Sequence, residues 1–469
     1  MSNFFVINSE TISEFFPIGV PVALSTIGIE MNSIENDGVL IGYNNRKQQF
    51  HCHYKVQKDD KGVKLVKQLD KVQGVSMKDI SNFPSKYLSS ILSPMSICEI
   101  DEKLGIKLLK ILYSENNYSC SKTFQQIVFG APGTGKSYSI NKTIGDNIKI
   151  DMLGVEVPLP KNKDKYIIPD KMIFRTTFHP EYDYAQFVGC YKPIVADEEG
   201  KDVTYQFVPQ VFTDAYVEAW NNPNKPVFLV IEEINRGNCA QIFGDIFQLL
   251  DRNEDGESEY SIQPDKDLQK YLSEKLGIND PNVDESIKNG EALLLPKNFN
   301  ILATMNTSDQ SLYPMDSAFK RRWDWKYTPT INEPAGKSKD FKIYLGDNAE
   351  SDYCNWIDFI KAVNEQIKKA TKSEDKQLGE YFIKDSVFID EFISKVMFYL
   401  WTDICKENYK TRDNFFRTQA DGSESNEEFT FNELVSEKKE DGINKFEKDS
   451  RLRQFMNYLG VEVEKGTSK

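Results

Sequence analysis

Short apolar runs separated by longer polar segments occupy the middle of the chain. Four runs consist mainly of hydrophobic and β-branched residues, and they span residues 127–129, 172–178, 226–231 and 299–304. Runs of this length are typical of strands that are buried in a parallel sheet. Because a stretch with helical character follows the first run from Tyr138 onward, the pattern predicts an α/β domain, which we place at residues 119–330.

The N-terminal part has a different pattern. Short strand-like runs and one helical pattern predict a separate mixed α/β domain over residues 1–118. A polar stretch at residues 114–119 is the predicted linker. The strand-like runs cover residues 20–24, 38–43 and 49–54, and the helical pattern covers residues 104–113.

The sequence pattern of the C-terminal part predicts helices. A strongly apolar stretch at residues 392–404 indicates a helical lid over residues 331–410. Residues 411–469 are rich in charge and predict an extension with one short amphipathic piece near its end, at residues 452–459. A polar insertion at residues 253–291 predicts exposed turns around a short helix near residues 268–276.

A glycine-rich stretch directly follows the first apolar run and fits the phosphate-loop pattern GxxxxGK[ST]. Glycines let successive backbone N–H groups close around a phosphate, and a helix N-terminus adds partial positive charge. Lys136 is expected to reach the β- and γ-phosphates, and the Ser137 hydroxyl to ligate Mg²⁺. A chance glycine-rich turn is the alternative. The predicted nucleotide-binding residues are Gly130, Ala131, Pro132, Gly133, Thr134, Gly135, Lys136 and Ser137.

Polar residues follow two later strands where each strand ends. Glu232 and Glu233 close the run at 226–231, where one carboxylate can hold Mg²⁺ and the other can polarise water. Acids at a surface strand end are the alternative. Asn306 follows the run at 299–304 and can orient the attacking water, although an Asn/Ser/Asp turn explains this spacing equally well.

Two arginines, Arg321 and Arg322, lie at the end of an apolar helical stretch. A guanidinium is a planar, permanently charged fork that suits a γ-phosphate, often in the site of a neighbouring subunit. Pairing with surface acids is an equally good explanation from spacing alone.

Charge is unevenly distributed along the 469 residues. The net charge is −14, yet residues 1–120 carry equal numbers of acids and bases. The stretch 46–71 has eight cations against three acids, which fits a phosphate backbone or, alternatively, a solvated charged face.

The cysteines, histidines and apolar runs of the sequence bear on the cellular compartment of the protein and on whether it binds a metal. The seven cysteines occur singly, which suits reduced thiols in a cytoplasm. No apolar run is long enough to cross a membrane, and no secretory signal is expected at the N-terminus. His51 and His53 flank Cys52 in a predicted strand, which places the cysteine on the opposite face; a structural role is favoured over zinc.

Taken together, these motifs resemble the AAA+ family over residues 123–325, and in particular the McrB-type GTPase subunits of modification-dependent (5-methylcytosine) restriction systems. The resemblance rests on five elements in the family's order and spacing. They are GAPGTGKS at Gly130, FHPEYDYAQFVG at Phe178, EEINRGN at Glu232, ATMNTSDQS at Ala303 and AFKRRW at Ala318.

The resemblance implies a ring hexamer that hydrolyses GTP with Mg²⁺, reads DNA through its N-terminal domain and drives a separate McrC-like nuclease subunit. By position, Glu233 is the catalytic acid, Asn306 the polar sensor, and Arg321 and Arg322 the candidates for the trans-acting finger. Asp309 closes the family's MNTxD element, and Ser137 and Glu232 bind the metal. Residues 375–381 resemble the region that returns a lid to the nucleotide.

Two departures from the family pattern bear on the nucleotide. The family usually has aspartate where this chain has Glu232, and the family's MNTADRS reads MNTSDQS here, which places Gln310 where arginine is common. An ATP-dependent remodelling protein that acts on a protein substrate is therefore the alternative. No nuclease constellation stands out, so cleavage is expected to need another chain.

Overall fold

The structure is a computed structural model of the 469-residue chain. It describes residues 4–8, 39–44, 49–59, 62–76, 97–100, 117–152, 155–159, 161–162, 165–195, 203–308, 313–331, 340–405, 415–419, 426–435, 438–440, 443–445 and 448–466. The strand predicted at 20–24 and the helix predicted at 104–113 lie outside these residues.

A five-stranded parallel sheet forms the centre of the α/β domain, in the order β2-β3-β4-β1-β5. The prediction of a parallel sheet is confirmed. Its first four strands correspond to the four apolar runs. The strands are β1 (Gln125–Gly130), β2 (Ile173–Thr177), β3 (Val227–Glu232), β4 (Phe299–Asn306) and β5 (Asp324–Tyr327).

Burial explains why β3 and β4 have continuous apolar sequences. Both strands lie inside the sheet, and the residues from Val227 to Ile231 are fully buried. Helices α1 (Lys136–Asn147) and α2 (Val211–Asn221) pack against the sheet. The edge strand β5 was not predicted, because all four of its residues are exposed and its sequence lacks an apolar run.

Buried polar side chains join the strands at the end of the sheet opposite the phosphate loop. The Gln125 side chain donates to the carbonyl oxygens of Leu250 and Arg322 at 2.7 and 2.6 Å. The Arg252 guanidinium donates to Gln125 Oε1 at 3.2 Å and to the Phe299 carbonyl oxygen at 3.0 Å. Burial lowers the pKa of Arg252, and these acceptors satisfy its donors.

The N-terminal strands form their own five-stranded sheet. It consists of a three-stranded antiparallel meander, one strand that pairs parallel with the meander and a fifth strand that pairs antiparallel with that one. The strands predicted at 38–43 and 49–54 are present in it. The sheet consists of Phe4–Asn8, Val39–Asn44, Gln49–Asp59, Gly62–Ser76 and Ile97–Ile100.

The predicted linker at 114–119 is partly wrong. Asn117–Cys120 is a strand that pairs antiparallel with Ile148–Met152. The polar composition hid one anchoring residue, Tyr118, which is buried and whose N–H donates to the Asn224 carbonyl oxygen at 3.0 Å.

The region after the sheet has a separate hydrophobic core. Helix α3 (Trp356–Thr371) supplies one wall, and the apolar stretch predicted at 392–404 supplies another. Helix α4 (Lys448–Leu459) contributes Leu452 and Phe455 to the same core. The segment predicted as a charged extension therefore packs with the predicted lid, whereas the domain boundaries themselves stay predictions.

The remaining elements are short. The helix predicted near 268–276 is present and begins after its N-cap Asp265. The other helices are Tyr184–Phe187, Ile234–Arg236, Cys239–Phe243, Gly244–Leu250, Lys266–Lys275, Glu285–Lys288, Ser317–Lys320, Ile389–Phe392, Ile393–Met397, Leu400–Cys405 and Phe431–Val435. The other strands are Val155–Pro158, Lys161–Asn162, Lys165–Tyr166, Gly189–Val195, Val203–Pro209, Lys342–Tyr344, Tyr353–Asn355, Arg417–Gln419, Asn426–Glu428, Lys438–Glu440 and Ile443–Lys445.

Candidate functional site

The glycine-rich loop between β1 and α1 needs its glycines for backbone conformation. Gly130, Gly133 and Gly135 have φ angles of +154°, +75° and +80°, which residues with a Cβ rarely adopt. A Cβ on Gly133 would lie 2.7 Å from the Phe382 backbone, and one on Gly135 would lie 2.9 Å from the Tyr381 ring. The loop therefore has the backbone conformation of a phosphate cradle, and the close approach of residues 381–382 leaves no room for a side chain at Gly133 or Gly135.

The loop holds its lysine close to its own backbone. Lys136 is buried, and its ammonium donates to the carbonyl oxygens of Gly130 and Ala131, both at 2.9 Å. Thr134 Oγ1 donates to the Ala131 carbonyl oxygen at 3.0 Å. These bonds fix a positive charge inside the loop at the N-terminus of α1, so the loop fits a phosphate group.

Glu232, the last residue of β3, joins three elements. Its Oε2 accepts hydrogen bonds from Ser137 Oγ at 2.9 Å and from Thr304 Oγ1 at 2.6 Å. Its Oε1 accepts from the Arg175 guanidinium on β2 at 3.0 Å. The predicted metal residues Ser137 and Glu232 are thus in direct contact at the carboxyl edge of the sheet.

Glu233 has a strained backbone, with φ of +56°. Its N–H donates to Thr304 Oγ1 at 3.0 Å, and its Oε1 accepts from Asn306 Nδ2 at 2.6 Å. Its Oε2 lies 3.7 Å from Nε of Arg236. The left-handed conformation turns this side chain away from the path of β3 and toward Asn306, so the second carboxylate and the polar residue of β4 form one unit.

The arrangement places two carboxylates with different surroundings beside a phosphate-binding loop. Glu232 and the Ser137 hydroxyl offer hard oxygen atoms, which fit Mg²⁺. Among the described residues, no group of three or more His, Cys, Asp or Glu side chains is arranged to hold a metal ion. A site with only a few protein ligands suits Mg²⁺, because this ion is held largely by water and nucleotide phosphates.

The structure separates the two candidate finger arginines. The Arg322 side chain is only 8% exposed, pairs with Asp251 at 2.5 Å and stacks over the Phe247 ring, with its guanidinium carbon 4.0 Å from the ring centroid. Arg321 is exposed. The ion pair with Asp251 occupies Arg322, whereas Arg321 is accessible to solvent.

The segment at residues 379–381, predicted to belong to a lid, contacts the glycine-rich loop through backbone hydrogen bonds. The N–H groups of Gly379 and Tyr381 donate to the carbonyl oxygens of Pro132 and Gly133, both at 2.8 Å. A Cβ on Gly379 would overlap the Gly133 backbone. Burial raises the pKa of the Tyr381 hydroxyl above its usual range. The segment that resembles a lid return therefore reaches the loop itself.

Sequence reasoning missed Thr304, Arg175 and Arg236. Thr304 lies two residues before Asn306 on β4, so strand alternation places both on one face; that signal was available. Arg175 lies within a run that was predicted only as a strand, and no motif marks it. Asp309 and Gln310 lie outside the described residues.

Within the part of the chain that the structure describes, no helix combines the length and the apolar sequence that a membrane span needs.

Comparison with known proteins places this geometry in a family. Residues 168–323 match the family model described as an AAA domain of the dynein-related subfamily. The chain is 37% identical to the type II restriction enzyme BsuMI component YdiS of Bacillus subtilis (strain 168), a match that covers 60% of this chain and 80% of that protein.

A second relative is the type IV methyl-directed restriction enzyme EcoKMcrB subunit of Escherichia coli (strain K12). It is 26% identical over 47% of this chain and 37% of its own length. The phosphate loop and the parallel sheet of the structure indicate the same family as the family model and these two relatives. The chain belongs to the McrB-type AAA+ proteins of restriction systems.

Proposed function

We propose that the chain is the GTP-hydrolysing motor and DNA-recognition subunit of a restriction complex and that it drives a separate nuclease subunit. The observation that carries this proposal is the contact between Asn306 and Glu233 at 2.6 Å, beside the Ser137–Glu232 pair. In the proposed site, this contact joins the general base to the amide that orients it, next to the pair that would bind the metal.

Each side chain has a separate role in the proposed hydrolysis. Lys136 and the backbone N–H groups of the loop hold the phosphates. Glu233 accepts a proton from the attacking water, while Asn306 keeps that carboxylate in place. Ser137 and Glu232 would hold Mg²⁺, which supplies positive charge to the phosphate oxygens when it is bound.

The proposed partners follow from the relatives and from the charge pattern. Both relatives are named as parts of restriction enzymes, one as a component and one as a subunit, which supports a separate nuclease subunit here. The cationic stretch at 46–71 supports DNA binding by the N-terminal domain. The exposure of Arg321 supports a ring, expected to be a hexamer, in which this side chain enters the neighbour's site.

The first test is phosphate release by the purified chain with GTP and with ATP. We expect turnover of GTP. Lys136→Ala should abolish nucleotide binding, whereas Glu233→Gln should keep binding and lower turnover by about a hundredfold or more, because it removes only the base. Turnover of ATP alone would exclude the GTPase and favour the protein-remodelling alternative.

The second test measures DNA binding by the full chain at increasing salt. Affinity should fall steeply, by about a factor of ten or more between 50 and 200 mM salt, because phosphate contacts release counterions. Replacing Lys61, Lys64 and Lys67 by Gln should flatten this dependence. Replacing Lys266, Lys270 and Lys275 of the helix Lys266–Lys275 is the matched control. Equal behaviour of the two triple variants would refute the assignment of this stretch.

The third test distinguishes Arg321 from Arg322. Arg321→Ala should fold and bind nucleotide normally but lose about a hundredfold or more of turnover. Arg322→Ala should instead lower the free energy of unfolding by about 2 kcal/mol, because it removes both the stacking on Phe247 and the ion pair with Asp251.

Mixing subunits tests whether Arg321 acts in trans. Arg321→Ala subunits keep an intact phosphate loop, and Lys136→Ala subunits keep Arg321, so mixed rings should regain turnover. Mixing Arg321→Ala subunits with the double variant Arg321→Ala/Lys136→Ala is the control and should give no recovery. Recovery in neither mixture would rule out the trans role.

The fourth test concerns the lid contact. Gly379→Ala should weaken nucleotide binding by about tenfold or more, because its Cβ pushes the lid segment away from the Gly133 backbone. Gly277→Ala is the matched control, since its Cβ would have only the Asn221 side chain within 4 Å, at 3.7 Å. Equal affinities for the two variants would show that the lid contact does not support the loop.

A further inference from the structure

Arg175 is an additional cation at the proposed metal site. It lies on the edge strand β2, opposite Val230 of β3 in the parallel register. From there its guanidinium donates to Glu232 Oε1 at 3.0 Å and also contacts the Asn141 side chain on α1. The side chain therefore bridges the edge strand, the acid of β3 and the helix that follows the phosphate loop.

This bridge completes the hydrogen bonding of Glu232. One carboxylate oxygen accepts from Ser137 and Thr304, and the other accepts from Arg175. The Glu232 and Arg175 side chains are 21% and 37% exposed, so solvent screens their attraction only in part. Glu232 thus has a full positive charge as a partner in the structure as it stands.

The same carboxylate and the Ser137 hydroxyl are the atoms proposed to serve Mg²⁺. A divalent cation beside Glu232 comes close to the Arg175 guanidinium, and like charges at such separations repel. Binding of the metal must therefore either displace Arg175 or work against its charge. The length of Glu232 is relevant here, because the carboxylate of an aspartate, which is one methylene shorter, would lie farther from this arginine.

We propose that Arg175 is a positioning residue that neutralises Glu232 in the absence of Mg²⁺ and thereby raises the Mg²⁺ concentration needed for tight nucleotide binding. This inference rests on the proposed function of the same site. It gives the Glu232–Arg175 pair a specific purpose: the protein engages its nucleotide firmly only when the metal accompanies it.

The experiment measures the affinity of the full chain for a fluorescent GTP analogue from EDTA through a series of Mg²⁺ concentrations. Arg175→Met should lower the Mg²⁺ concentration that gives half of the affinity gain by about tenfold. Arg175→Lys keeps the charge and should stay closer to the wild-type value. Thermal unfolding of each variant checks that replacing the partly exposed Arg175 side chain leaves the fold intact.

Lys326→Met is the matched control. Lys326 of β5 donates from Nζ to Ser139 Oγ at 3.3 Å and to Thr143 Oγ1 at 3.4 Å, so it is also a cation that contacts α1, through hydroxyl groups rather than through Glu232. Its removal should leave the Mg²⁺ dependence unchanged. In a Glu232→Asp background, Arg175→Met should have little further effect, because the carboxylate of the shortened acid lies farther from the arginine.

Other outcomes overturn the inference in distinguishable ways. An equal loss of affinity in EDTA and in Mg²⁺, with an unchanged Mg²⁺ midpoint, would mean that Arg175 contacts the phosphates directly. No change in either would mean that the ion pair has no effect in solution. Absence of nucleotide binding by the wild-type chain at every Mg²⁺ concentration would refute the proposed function itself, and this inference with it.

Discussion

The parallel register of β1, β3 and β4 is the constraint on which the site depends. It brings three strand ends to one edge, so the phosphate loop, the two acids and Asn306 meet although more than 170 residues separate the first from the last. Thr304 secures this meeting point, since its hydroxyl donates to Glu232 and accepts from the N–H of Glu233. A single hydroxyl therefore relates the positions of both carboxylates.

Much of this arrangement could be predicted, because it depends on features that are local in sequence. Apolar runs mark buried strands, and the loop glycines mark positive φ angles. The edge strand β5 escaped prediction because an exposed strand carries no burial signal. Tyr118 escaped for the opposite reason, since a single buried ring anchors a segment that is otherwise polar.

The side-chain partners could not be predicted from local patterns. Arg321 and Arg322 are adjacent and identical in type, yet one is exposed and the other stacks on Phe247 and pairs with Asp251. Only the tertiary packing distinguishes them. The same holds for Arg175, because its partner Glu232 lies 57 residues further along the chain.

The shared core of the lid and the C-terminal segment has a mechanical consequence. Trp356 Nε1 donates to the Glu380 carbonyl oxygen at 2.8 Å, and Glu380 lies between the two residues whose N–H groups bind the phosphate loop. Trp356 belongs to the same core as Phe455 of α4. Helix α4 and the phosphate loop are thus linked through Trp356 and the segment at residues 379–381. The packing of the C-terminal helix is therefore connected to the phosphate loop through the interior of the protein.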